Sequence, residues 1–184
     1  MGTTTNKPLL LLDIDGVTNA FRFKTIPGTD QPKYKRKHVN GYTITYRPEW
    51  VEWVDGMVAV SDPVWATMWQ EDALFHFAPK VRIGRSIERY IDFHAHYETA
   101  SEQRTGWGVG DYKHPGILVT VGDRPFVWID DDISPRQWEW ALERTASGIP
   151  TLLIQPDPSV GLEWDHVAQV HKFIGNICTE GTRK

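Results

Sequence analysis

The chain has 184 residues, 40% of them hydrophobic and 24% charged, with a formal net charge of −4. That length suits one hydrophobic core, and the ordinary composition excludes disorder, collagen-like repeats and a long coiled coil. No apolar run reaches the roughly 20 residues that span a bilayer. Residues 1–7 (MGTTTNK) carry no signal-peptide core, and the single cysteine, Cys178, excludes an intramolecular disulfide and a cysteine-based zinc site. The expectation is a cytoplasmic protein whose residues 1–184 form one domain.

Charge is unevenly distributed. Between Ala20 and Trp50 stand seven cations and two acids, a local net of +5, so the remainder carries −9. A basic segment on an acidic body predicts an anionic partner there, against the plainer reading of a solvated loop. Nine tryptophans is a high number for this length, and several of them must line a core or a site.

In chain order, Leu9-Leu10-Leu11-Leu12 runs unbroken into Asp13-Ile14-Asp15-Gly16 and reads as a strand buried on both faces. Residues 19–47 read as a hairpin with one arm at Phe21 to Lys24, the other at Tyr42 to Tyr46, and a polar tip between them. Pro48 opens a helix with Trp50, Trp53, Val54 and Met57 on its apolar face. Val64 to Met68 is a second strand, Gln70 to Pro79 a helix, and Tyr90 to Phe93 a third strand. Lys113 begins a helical stretch towards Val121. Phe126 to Ile129 is a further apolar strand, ending in Asp130-Asp131-Asp132. Ser134 caps a helix that stops at Gly148, Thr151 to Ile154 is a fifth strand, and a last helix covers about Trp164 to Ile177. Buried strands alternating with helices specify an α/β fold, a mostly parallel sheet covered on both faces.

Ligands of such sheets bind beyond the carboxyl ends of the strands. Asp13, Asp15, Thr67, Asp130, Asp131 and Asp132 all fall there. Clustered carboxylates repel and are costly to desolvate unless a cation sits among them, and all-oxygen ligands favour Mg²⁺ over zinc. Since Mg²⁺ is commonly shared with substrate phosphate, a phosphate ester is the expected substrate.

Four segments together resemble the haloacid-dehalogenase-like (HAD) phosphohydrolases: Leu9–Val17 (LLLLDIDGV), Val64–Thr67 (VWAT), Lys113, and Phe126–Asp131 (FVWIDD). The resemblance implies a Rossmann-like three-layer sandwich and a Mg²⁺-dependent phosphomonoesterase. Asp13 would be the nucleophile forming an aspartyl-phosphate, and Asp15 the general acid and then base. Thr67, with Met68 beside it, would bind the phosphoryl group. Mg²⁺ would be held by Asp13, the backbone carbonyl of Asp15, and Asp130, supported by Asp131. Lys113 would offset negative charge, with Lys80, Arg85 and Arg104 as other cations able to do so.

Fifty-two positions separate Asp15 from Thr67 and seventeen separate Lys113 from Asp130, so no room remains for a separate cap domain. The expected cover is a hairpin flap at about 19–47. Lys35, Arg36 and Lys37 in that flap predict contacts to a nucleotide or a nucleic-acid end, and the chain is similar to HAD domains associated with RNA-repair and phage proteins. Two alternatives remain open at this point: a small-metabolite phosphatase, and a non-catalytic module that grips phosphate or nucleic acid.

Overall fold

The computed structural model describes residues 7–21, 33–95 and 111–181. In chain order its elements are β1 (Leu9–Leu12), β2 (Lys35–Val39), β3 (Tyr42–Tyr46), α1 (Trp50–Val60) and β4 (Asp62–Trp65). A π-helical turn (Ala73–Phe77) leads into the short α2 (Ala78–Val81). Then come α3 (His114–Val121), β5 (Phe126–Ile129), α4 (Pro135–Ala146), β6 (Thr151–Ile154) and α5 (Trp164–Gly181).

Strands β4, β1, β5 and β6 lie side by side in that order, all parallel. Successive residues of a strand point to opposite faces, so a strand covered on both sides must be apolar throughout. Leu10, Leu12, Trp65, Val127, Ile129 and Ile154 point to one face, against Trp50, Val54 and Met57 of α1 and Val167, Val170 and Ile174 of α5. Leu9, Leu11, Val64, Phe126, Trp128 and Leu153 point to the other, against Ile117 and Val121 of α3 and Ala141 of α4. At roughly 2 kcal/mol for each fully buried leucine, the four leucines of β1 alone account for its unbroken apolar run. Three layers result, a Rossmann-like α/β sandwich. No helix among the described residues is long and apolar enough to cross a membrane.

The hairpin differs from the expectation. Its arms are β2 and β3, antiparallel, with Lys35 opposite Tyr46 and Val39 opposite Tyr42. The basic segment is therefore a strand and not the tip. The turn is Asn40-Gly41, both with positive φ (46° and 86°), the pair that a tight two-residue hairpin turn requires. Arg22, Phe23 and Lys24 of the expected first arm lie outside the described residues.

Three other elements are corrected. Tyr90 to Phe93 is not a strand: a single bridge joins Tyr90 to Trp65, so among the described residues the parallel sheet has four strands where five were expected. The strand expected at Val64 to Met68 is Asp62–Trp65, and the helix expected from Pro48 starts at Trp50. The helix expected over Gln70 to Pro79 is in part a π-helical turn, which displaces its inward residues from the ordinary 3.6-residue spacing.

Candidate active site

The four strands end level with one another. Leu12 pairs with Trp65 on one side and with Ile129 on the other, and Ile129 pairs with Ile154. The ladder continues one step further, because the Asp13 amide donates to Ile129 O at 3.0 Å and the Asp130 amide to Ile154 O at 3.1 Å. That register brings Asp13 and Asp130, 117 positions apart, to the same edge. The chain runs from β1 to β4 on one side and later crosses to β5 on the other, so Asp13 stands at the point where strand order reverses, the usual crevice for a ligand.

The charged groups converge tightly. Lys113 Nζ donates to Asp13 Oδ2 at 2.9 Å and to Asp130 Oδ2 at 2.7 Å, and all three side chains are buried. Trp128 Nε1 donates to Asp130 Oδ2 at 3.1 Å and the Asp132 amide to Asp130 Oδ1 at 3.0 Å, so both Asp130 oxygens are fixed. Burial works against the charge of Lys113, but the two carboxylates outweigh it and hold the ammonium above the usual lysine range. Asp130 is raised as well, which here disfavours its charged form: its burial and then the Asp13 charge outweigh what Lys113 offsets. Burial also pushes Asp131 up to about 6, aided by Asp13.

Gly16 explains the last letter of the Asp-x-Asp-Gly motif. Its φ is +71°, and a Cβ there would lie 2.1 Å from Asp131 Cγ. Only a residue without a side chain lets the Asp131 carboxylate into the cluster. On the far side, Asp111 accepts a hydrogen bond from the Ser134 hydroxyl, and Ser134 also caps α4 in a capping box with Gln137. That link ties the segment carrying Lys113 to the loop carrying Asp130 and Asp131.

Asp15 is held differently. Asn19 Nδ2 donates to its Oδ1 at 2.7 Å and Trp69 Nε1 to its Oδ2 at 2.9 Å. Burial raises its pKa, and those two hydrogen bonds only partly oppose the rise. Thr67 is fully buried at the end of β4, where its Oγ1 accepts from the Trp69 amide at 3.4 Å. Met68 is exposed and lines the cavity of about 210 Å³ formed with Asp13, Asp15, Phe21, Tyr112, Lys113, Asp130, Asp131 and Asp132.

The flap cations are elsewhere. Lys35 and Arg36 are exposed on β2, while Lys37 packs over the Tyr46 ring and donates to Lys80 O at 2.6 Å on α2. None of the three is among the described residues that line this cavity or the larger one beside it. What the hairpin presents to the larger cavity is Tyr42 and Thr43. Of the other candidate cations, Lys80 is exposed on α2 and Arg85 lines a separate pocket near Leu74 and Glu88; Arg104 lies outside the described residues.

The model of the HAD domain in Swiss Army Knife RNA repair proteins matches residues 9–167. The chain belongs to this family of HAD domains. Neither the curated proteins nor the solved structures contain a significant match to it.

As a HAD domain the chain is expected to use Mg²⁺, and the donor set fits one. Asp13, Asp130 and Asp131 each offer a carboxylate oxygen within 4.8 Å of the others. One ammonium among these three acids leaves buried negative charge uncompensated, the condition a hard divalent cation relieves. The residues the sequence reading missed are Trp69, Asn19 and Asp111. A lone tryptophan reads as packing, and only the fold brings the Trp69 N–H to Asp15.

Proposed function

We propose that this HAD domain is a magnesium-dependent phosphomonoesterase acting on the phosphates of nucleotides or polynucleotide ends. The observation that carries the reading is the pairing of two unlike carboxylates on one turn: Asp13 bound to Lys113 within a trio of acids, and Asp15 held apart by Trp69 and Asn19.

Mg²⁺ would be held by Asp13, Asp130 and Asp131 with the backbone carbonyl of Asp15, and when bound it offsets the charge of the phosphoryl oxygens. In the first step an Asp13 oxygen attacks phosphorus while the bond from phosphorus to the leaving oxygen breaks. Asp15, whose burial favours its protonated form, gives that oxygen its proton. In the second step Asp15 takes a proton from water, the water oxygen attacks the phosphorus of the aspartyl-phosphate, and Asp13 departs as carboxylate. Lys113 stabilises negative charge on Asp13 throughout, while Thr67, fully buried and outside the described lining of both cavities, would reach a phosphoryl oxygen only if Met68 and its surroundings shift.

A polynucleotide end as substrate is supported by the family match and by the basic strand β2. The chain between Lys113 and Asp130 is taken up by α3 and β5, which supports a capless domain with the hairpin as its cover among the described residues. The test is phosphate release from oligoribonucleotides phosphorylated at the 5′ or the 3′ end, with and without Mg²⁺, for the native chain and for Asp13→Asn. Release should require Mg²⁺ and fall by at least about 10³-fold in the variant, as for loss of other covalent nucleophiles. A native chain inert on both oligonucleotides overturns the hydrolytic reading.

A further inference from the structure

A second cavity, about 480 Å³, adjoins the acidic one and shares Asp15, Phe21 and Met68 with it. Its remaining walls are Asn19, Tyr42, Thr43, Trp69 and Asp72. Two aromatic side chains stand open here, Phe21 at 57% and Tyr42 at 65% exposed. The Tyr42 ring meets the Trp69 ring edge-on with centroids 5.4 Å apart. The same Trp69 indole donates to Asp15.

The described walls carry two carboxylates and no cation, so a phosphodiester would be repelled from this space. A flat neutral ring would be accepted, because aromatic faces stack on any base. Asp72 supplies hydrogen-bond acceptors: its Oδ2 is positioned by Asn40 Nδ2 at 2.8 Å, from the hairpin turn. Carboxylate oxygens in such a place suit sugar hydroxyls or an exocyclic amino group. The volume is that of an ordinary small-ligand site and accommodates one nucleoside.

We infer that this cavity seats the base and sugar of the nucleotide bearing the scissile phosphate, with Tyr42 as the stacking surface. The inference rests on the phosphatase reading for what lies in the acidic cavity, and it adds the recognised group. Trp69 joins the two sites, since the indole that packs against Tyr42 also holds the general acid. Recognition of the end is thus by a neutral ring and its hydroxyls, and the cations of β2 are left for phosphates further along the strand.

The test is calorimetric binding of a tetraribonucleotide with hydroxyl ends, the product of the proposed reaction, so that no turnover is needed. The native chain should bind it saturably, and a tetranucleotide with abasic end residues should bind at least about tenfold more weakly, the loss expected when a stacked base is removed. Tyr42→Ala should show a similar loss and Tyr42→Phe should stay within about threefold of native, because the ring and not the hydroxyl stacks. Equal binding of the abasic and intact probes overturns the inference, as does no saturable binding of the intact one. Tyr42→Phe as weak as Tyr42→Ala overturns it too. Base-dependent binding without phosphate release refutes only the hydrolytic reading; phosphate release without base dependence refutes only the nucleoside pocket.

Discussion

The two adjoining cavities share three side chains and have opposite chemistry. The smaller is built around strand ends and holds the buried ionic trio of Asp13, Asp130 and Lys113 with the half-buried Asp131 beside it. The larger is built from the hairpin and the segment after β4, and its walls are aromatic and hydrogen-bonding. Asp15 belongs to both, which is where the proposed acid would have to stand to pass a proton to the oxygen joining phosphate to nucleoside. Charged groups gather at the sheet edge, and the hairpin adds Tyr42 and Thr43 to the neighbouring aromatic walls.

The largest expected effect comes at the shared residue. Asp15→Asn removes the proton donor but keeps acceptor and shape, and should slow release from an alkyl phosphate by roughly 10²–10⁴-fold. A nitrophenyl phosphate, whose leaving group needs no proton, should lose much less. Equal losses on both substrates would mean that Asp15 serves the charged cavity only.

Next in size is the glycine that admits Asp131. Gly16→Ala puts a Cβ 2.1 Å from Asp131 Cγ at a φ of +71°, and should cost roughly 2–4 kcal/mol of stability by chemical denaturation. The displaced carboxylate should also raise the Mg²⁺ concentration needed for half-maximal activity. Unchanged Mg²⁺ dependence in a folded variant would remove Asp131 from the ionic cluster.

The sequence disclosed the charged cavity far better than the aromatic one, for a physical reason. Asp13, Asp15, Asp130 and Asp131 are announced by apolar runs that must end where the sheet ends, so the residue after each run has a known position. The hairpin has no such guide. Lys35 to His38 is polar on both faces, only Val39 is buried, and its strand state comes from pairing with Tyr42 to Tyr46. The Asn40-Gly41 turn is the one local signal that would have fixed the arms. Tyr90 to Phe93 misled in the opposite way: Ile91 and Phe93 are buried against Gly116, where a Cβ would lie 2.8 Å from the Phe93 ring, so their apolar character serves packing and not pairing.

Adjacent residues at the start of α3 sharpen the contrast between charged and uncharged surroundings. Lys113 faces carboxylates and keeps its proton, while His114 is buried against the Trp140 ring, centroids 4.7 Å apart, and burial pushes its pKa down to about 4. With an unfolded value near 6.5, the unfolded chain binds the extra proton between those values. This contribution to stability is therefore complete above about pH 6.5 and is lost as pH falls towards 4. From pH 7 to pH 5 it amounts to about 2 kcal/mol. Denaturation of His114→Phe at the two pH values should show a correspondingly smaller acid loss than the native chain.

Trp69→Phe addresses the link between the cavities. Its N–H favours the Asp15 carboxylate, so removing it should raise the Asp15 pKa further. The alkaline fall in release from an alkyl phosphate should then move to higher pH. A downward shift would mean that Asp15 does not act as the acid.

The smallest effect belongs to the exposed cations of β2. Lys35 and Arg36 lie outside the described lining of both cavities, so under the proposed function they would act on phosphates beyond the one removed. Each single-strand phosphate contact contributes roughly 0.7 to the slope of log affinity against log salt. Replacing both by Gln should weaken binding of a long oligoribonucleotide a few-fold at low salt and reduce that slope by about 1.4 if each touches one phosphate. A mononucleotide has no phosphate to lose there, so its dependence on salt should change far less. Equal changes for the long and short ligands would make β2 a general attractor of anions, and the division of labour between a charged edge and a neutral pocket would then lack its third part, the track for the rest of the strand.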